Sequence, residues 1–156
     1  MYNVLKWYFL RGVISLLMTR EMDYALRILR ALYQGGHQSA AAVAERECMP
    51  KAITLKMLKQ LHAAGLVVSR RGPAGGYLLA EGCERLYLGE LFHRLGDPLF
   101  INRCQREGYQ CENRPEGDCG LCRELSRIQE VLDGELRKTP LSAIFQENRK
   151  FKHITK

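Results

Sequence analysis

From Thr19 onward, apolar residues recur at helical spacing, with Met22, Ala25, Leu26, Leu29, Leu32 and Tyr33 sharing one face. Thr19 is placed to cap the first turn, and Gly35-Gly36 to stop the helix. A second, short helix fits Ser39 to Glu47, with Ser39 as its cap and Ala41, Val43 and Ala44 as small inward contacts. A third begins near Pro50, a favoured first-turn residue, carries Ile53, Met57, Leu58 and Leu61 inward and ends at Gly65. Three helices of these lengths in this order predict a helix-turn-helix.

Two short apolar runs follow, Leu66-Val67-Val68 and Tyr77-Leu78-Leu79, around the turn Arg70-Arg71-Gly72-Pro73-Ala74-Gly75-Gly76. They read as a β-hairpin with a basic tip, a wing. A fourth helix spans about Leu86 to Leu95 and is stopped by Gly96 and Pro98. Between Cys104 and Cys122 the periodicity disappears, and so long an irregular connection in a compact domain points to function or disorder. Leu121, Leu125, Ile128 and Leu132 then recur at alternating steps of four and three, the spacing of a helix-helix seam, so this run reads as a dimerisation helix. Gly134 weakens its continuation, and Pro140 ends it before a short element at Leu141 to Phe145.

The fold class is therefore mainly α with a small β-hairpin wing: a winged helix-turn-helix plus a long dimerisation helix. Its parts are a DNA-binding domain at 18–98, a cysteine-rich loop at 99–122, the dimerisation helix with its short C-terminal element at 121–146 and a basic tail at 147–156. Residues 1–17 precede a conventional start at Met18 and read as an N-terminal extension, either disordered or absent from the natural product. Their apolar run is broken by Lys6 and Arg11 and falls short of the roughly 20 residues a membrane span needs. The reading is a cytoplasmic protein with no membrane partner.

Charge sharpens the picture. At 156 residues the chain can bury one core, and its formal charge of +7 lies entirely before Glu81, since acids and bases balance beyond it. A basic first half fits a polyanion. On the third helix Lys51, Leu55, Lys56 and Lys59 fall outside the Ile53/Met57/Leu61 stripe and face a DNA major groove, while Arg70, Arg71 and Gly72 at the wing are placed for the adjacent minor groove. Lysines grip phosphate better than they read bases, so most of these residues position the helix; Lys59 reads equally well as a solvated charge.

Cys104, Cys111, Cys119 and Cys122 are spaced C-x6-C-x7-C-x2-C, apart from Cys48 and Cys83, which read as small buried hydrophobes. Cytosolic thiols stay reduced, so such clustering favours a soft metal: an iron-sulfur cluster, zinc or copper(I). Spacing alone does not separate these, although a single tight C-x2-C knuckle favours a cluster over structural zinc. Cys119 and Cys122, three apart at a helix start, share a face, so four thiolates are available in one subunit for a two-iron or four-iron cluster. The four histidines, His37, His62, His93 and His153, form no ligand-like group.

The stretch Gly65-Leu-Val-Val-Ser-Arg-Arg-Gly-Pro-Ala-Gly-Gly-Tyr-Leu-Leu-Ala80, preceded by Thr19-Arg-Glu-Met-Asp-Tyr-Ala-Leu26, resembles the IscR/NsrR family of dimeric winged-helix regulators over about Met18 to Phe145. The resemblance implies a homodimer that represses promoters at a pseudo-palindromic double-stranded DNA operator, with binding governed in many members by an iron-sulfur cluster. It also implies three loop cysteines, the places held by Cys104, Cys111 and Cys119, and in some members an acidic ligand donated across the dimer, which would be Asp23 of the partner subunit. The intervals here are longer than in well-known members, and Cys122 stands where a two-iron member uses histidine. Asp23 also reads as a first-turn acid favoured by the helix dipole. The signal read at such a site is redox state, nitric oxide or iron availability. Two other readings stand beside this one: the same scaffold with structural zinc or a metal-free thiol/disulfide switch, and a cluster-containing redox protein. The last finds no nucleotide fingerprint or acid/base pair, and the chain is not read as an enzyme.

Overall fold

The computed structural model describes residues 18–72, 75–112 and 119–146. The expected N-terminal extension and basic tail lie outside them. Helix α1 spans Arg20–Gly35, α2 Ala40–Arg46 and α3 Lys51–Ala63; strands β1 (Val67–Arg70) and β2 (Gly76–Leu79) follow, then α4 (Leu88–Arg94), α5 (Gly120–Leu136) and α6 (Leu141–Phe145). Single 3-10 turns sit at Cys83–Arg85 and Arg103–Gln105.

The caps are where local chemistry places them. Thr19 accepts from the Met22 amide at 3.3 Å and Ser39 from the Ala42 amide at 3.1 Å, each satisfying a donor the first turn leaves free. The Thr19 hydroxyl also donates to Asp97 at 2.8 Å, which ties the start of α1 to the segment just beyond α4. Between α2 and α3, Met49 N–H reaches back to the Ala44 carbonyl at 2.8 Å while Cys48 takes φ 51, the left-handed conformation that closes a helix end. Met49 is buried and Cys48 exposed, so Cys48 is not the buried hydrophobe its residue type implies. The turn geometry decides its exposure.

Ile28, Leu29 and Leu32 of α1, Leu58 and Leu61 of α3, Val43 of α2, Leu66 and Leu91 form one buried core. On α3 the inward stripe runs through Thr54, Met57, Leu58 and Leu61; Ile53 is only half-buried. Thr54 is fully buried because its hydroxyl donates to the Pro50 carbonyl at 3.1 Å, so its polar group costs little and its methyl packs. Ala41 faces solvent, and Ala40 supplies the small contact expected of it.

The wing is an antiparallel pair with Val67 opposite Leu79 and Arg70 opposite Gly76. A third segment joins it, since Gln38 and Tyr77 exchange backbone hydrogen bonds of 3.0 and 2.8 Å. Helix α5 continues through Gly134, the position expected to weaken it, and runs to Leu136, before Pro140. The cost of one helical glycine, about 1 kcal/mol, is less than what the flanking turns gain. Helix α6 then returns to the N-terminal half, where Leu141 and Phe145 are buried, the Leu141 amide donates to the Leu86 carbonyl at 2.8 Å and Gln34 Nε2 donates to the Phe145 carbonyl at 2.8 Å. The Phe145 ring lies 5.8 Å from that of Tyr33.

Thr19→Ala is expected to lower stability by about 1–2 kcal/mol, because it removes both the cap and the link to Asp97. Urea denaturation checks this; an unchanged midpoint refutes the role of the cap.

Candidate nucleic-acid interface and thiol site

The residues expected to meet DNA lie on α3 and the wing. Lys51, Lys56 and Lys59 are exposed, as are Arg70, Arg71 and Gly72, and Leu55 is 43% exposed among the lysines of its helix. Lys56 is not a free cation: its ammonium pairs with Glu21 of α1. Lys51 stands in the first turn of α3, the end of a recognition helix that approaches base edges.

Two glycines explain why the wing takes its shape. A Cβ on Gly75 would lie 2.7 Å from the Gly72 carbonyl oxygen and 2.8 Å from that of Arg70, and a Cβ on Gly76 would lie 2.5 Å from the Gln38 carbonyl oxygen. Both obstacles are backbone and cannot swing away. Gly72 has φ 115, where L side chains are strained. The Arg70 and Arg71 backbone is therefore carried on a tight turn whose base is fixed to the 37–38 segment.

The four loop cysteines are brought together from two elements. Cys104 lies in the Arg103–Gln105 turn, Cys119 caps α5 and Cys122 sits in its first turn. The Cys104 thiol is held above its ordinary value first by desolvation, then by the neighbouring thiols of Cys122, Cys111 and Cys119, and Cys122 is also in hydrogen-bonding contact with it. All four are half-buried and none forms a disulfide. They are neighbours without being drawn to metal-binding separations, for among the described residues no three His, Cys, Asp or Glu side chains form a ready ion cage.

The donor set nevertheless fits a thiolate-bound metal group. Its four sulfurs are soft donors, and in the residue that follows Cys104 the Gln105 Nε2 is a buried donor with no partner among the described residues. Asp23 is held by Arg27 at 3.0 Å, one turn along α1. Cys83, by contrast, is isolated in the core, where burial chiefly raises its thiol to about 11 and Glu84 adds to the shift.

On α5 the expected seam is only partly outward. Leu121 and Ile128 are 67% and 41% exposed and Val131, which the heptad reading missed, is 57% exposed; Leu125 and Leu132 are half-buried. The buried residue of this helix is Gln129, a functional-looking position that sequence reasoning passed over because an amide carries no periodic signal. Its Oε1 accepts from Ile101 N at 2.9 Å, and its Nε2 donates to the Leu99 carbonyl at 2.9 Å and to Asp133 Oδ1 at 2.8 Å.

A helix-turn-helix followed by a hairpin wing, with an extra helix carrying thiols, defines a winged-helix regulator of the kind that meets DNA. The chain belongs to the Rrf2 family, described as iron-dependent transcriptional regulators, which it matches over residues 18–147. Among known proteins it is similar to the HTH-type transcriptional regulator IscR of Xenorhabdus nematophila, 33% identical over 97 residues that cover 62% of this chain and 56% of that protein. The corresponding regulator of Cronobacter sakazakii is 31% identical over 90 residues, covering 58% of this chain and 52% of that protein. The match thus spans about half the length of these relatives.

Solved structures extend the likeness in fold. A transcriptional regulator from Listeria innocua superposes with a TM-score of 0.67 at 23% identity, covering 88% of this chain and 92% of that one. The IscR of T. potens gives 0.63 at 18% identity, covering 91% and 95%. CymR, the global cysteine regulator of B. subtilis, gives 0.59 at 24% identity, covering 84% and 97%. The winged-helix fold and the transcription-regulator class read from the sequence both hold, and a family of regulators replaces the redox-enzyme alternative.

Two outcomes test this geometry. Gly76→Ala is expected to lower the midpoint of thermal unfolding, because its Cβ meets the Gln38 backbone; circular dichroism melting checks it, and an unchanged midpoint counts against the close approach. In native protein at pH 8, Cys83 is expected to alkylate with iodoacetamide at least about tenfold more slowly than exposed Cys48, since burial keeps it in the unreactive thiol form. Peptide mass mapping reads this directly, and equal rates refute it.

Proposed function

We propose that this protein is a cytoplasmic, homodimeric transcriptional repressor whose operator affinity is set by an iron-sulfur cluster held by Cys104, Cys111, Cys119 and Cys122. The observation that carries the reading is the gathering of the other three thiols around Cys104, at the junction between the winged helix and α5. Four thiolates suit a two-iron or a four-iron cluster. When bound, such a group supplies iron chemistry responsive to oxygen, nitric oxide or iron supply. Relatives described as iron-dependent regulators support the cofactor.

The chain's own residues do the rest. Leu121, Ile128 and Val131 offer an exposed apolar stripe on α5, suited to a second copy of the same helix, with Leu125 and Leu132 at its edge. Two copies related by a two-fold axis would present two α3 helices to successive major grooves of a pseudo-palindromic duplex. Lys51 and Lys56 then contact phosphates, Leu55 meets a base edge, most simply a thymine methyl, and Arg70, Arg71 and Gly72 bring the wing to the minor groove. Cys122 is the preferred fourth ligand and Asp23 of the partner subunit the alternative, its carboxylate pairing with Arg27 within the single subunit.

A thiol/disulfide switch is the second reading, favoured by the direct contact of the Cys104 and Cys122 thiols and by the fold shared with a cysteine regulator. Anaerobic purification with iron, sulfide and zinc analysis separates the readings. The expected result is iron and sulfide with visible charge-transfer absorption that is lost in Cys104→Ala or Cys111→Ala, together with changed operator affinity. Stoichiometric zinc would leave a zinc-stabilised repressor; colourless protein whose DNA binding follows a reversible disulfide would leave the switch. For the DNA face, Arg71→Ala is expected to weaken binding, most where the wing meets a narrow A·T-rich minor groove, and to reduce the slope of log K against log salt by about one. An unchanged slope removes Arg71 from the interface.

A further inference from the structure

Gln129 sits where the two halves of the thiol site meet the rest of the fold. It is 6% exposed on a helix whose large apolar residues Leu121, Ile128 and Val131 face outward. Its amide pairs with the backbone on either side of Phe100, at Leu99 and Ile101, as a neighbouring strand would. That segment leads from α4 into the turn carrying Cys104, while α5 begins with Cys119 and Cys122 two turns before Gln129. Asp133, one turn further along, takes the remaining amide hydrogen and fixes the side chain's orientation.

We propose that Gln129 is the positioning residue that passes the state of the thiol site to the DNA-binding half. This rests on the reading that operator affinity follows that state. A shift of α5 at its cysteine end relative to Cys104 can be absorbed in the loop or delivered to the backbone at Leu99 and Ile101, and hence to α4. The bidentate amide grip selects delivery. Both partners are main-chain atoms that cannot rotate away, so a displacement of α5 at Gln129 moves the chain itself rather than a side chain. Leucine fills similar volume but leaves the Ile101 N–H and Leu99 carbonyl without partners, while asparagine keeps the amide one methylene short of reaching both.

The test compares cluster-loaded and metal-stripped protein, wild type against Gln129→Leu and Gln129→Asn, on a duplex selected by the wild-type protein from a randomised pool. Operator affinity, cluster iron and sulfide per subunit, and thermal midpoint are measured together. The wild type is expected to show a ratio of about tenfold or more between the two states. Both variants are expected to load the cluster normally but bring that ratio to within about twofold of unity. Lower affinity in both states with the ratio preserved would show a merely structural residue and overturn the proposal, as would a full ratio in Gln129→Asn if Gln129→Leu fails to fold. A wild-type ratio near one would instead remove the state-dependent reading on which this inference stands.

Discussion

Burial of Leu141 and Phe145 against α1 is the constraint on which the C-terminal half depends. Without it α5 would be joined to the winged helix only through the cysteine loop and the packing of Leu136 beside α4. With it, the helix is held near its middle by the Gln129 contacts to the 99–101 segment and at its C-terminal end by α6 returning to α1. Each large apolar side chain so buried is worth about 1.5–3 kcal/mol, more than the cost of carrying Gly134 inside α5. The helix that bears two of the cysteines is therefore part of the same folded body as the recognition helix.

The first three helices and the wing were legible because their signals are local. Caps at Thr19 and Ser39, the apolar stripe of α1 and the glycine-rich turn each act over a few residues. What sequence reasoning missed depends on the exact geometry of a turn or on partners far along the chain. Thr54 looks polar until its hydroxyl is turned back onto Pro50, and Cys48 looks buried until the turn that closes α2 presents it to solvent. Gly76 is legible as a turn residue, yet its need for a bare Cα comes from Gln38, nearly forty positions earlier.

The thiol site divides in the same way. Residue type and spacing named the four cysteines and their affinity for soft metals, since ligand chemistry is written in the side chain. Their arrangement was not readable, because it depends on how a turn near Arg103 is set against the start of α5. Gln129 sets part of that relation, and three hydrogen bonds from a buried amide are not a pattern that hydropathy can show. An unpaired buried amide would cost about 1–3 kcal/mol, so its full complement of partners marks a position where packing and polarity were settled together.

The pairing of Lys56 with Glu21 changes how the electrostatics of the recognition helix should be counted. When a lysine neutralises a phosphate, the DNA gives up a condensed cation, and the gain grows as the bath is diluted. Lys56 already has a counterion bolted to the protein. In the proposed complex, a phosphate reaching this ammonium would exchange one oxyanion for another and leave a carboxylate beside the duplex, an exchange nearly indifferent to bulk salt. The helix would thus hold more backbone than its salt dependence reveals, with the acid on α1 serving as a built-in brake on indiscriminate binding.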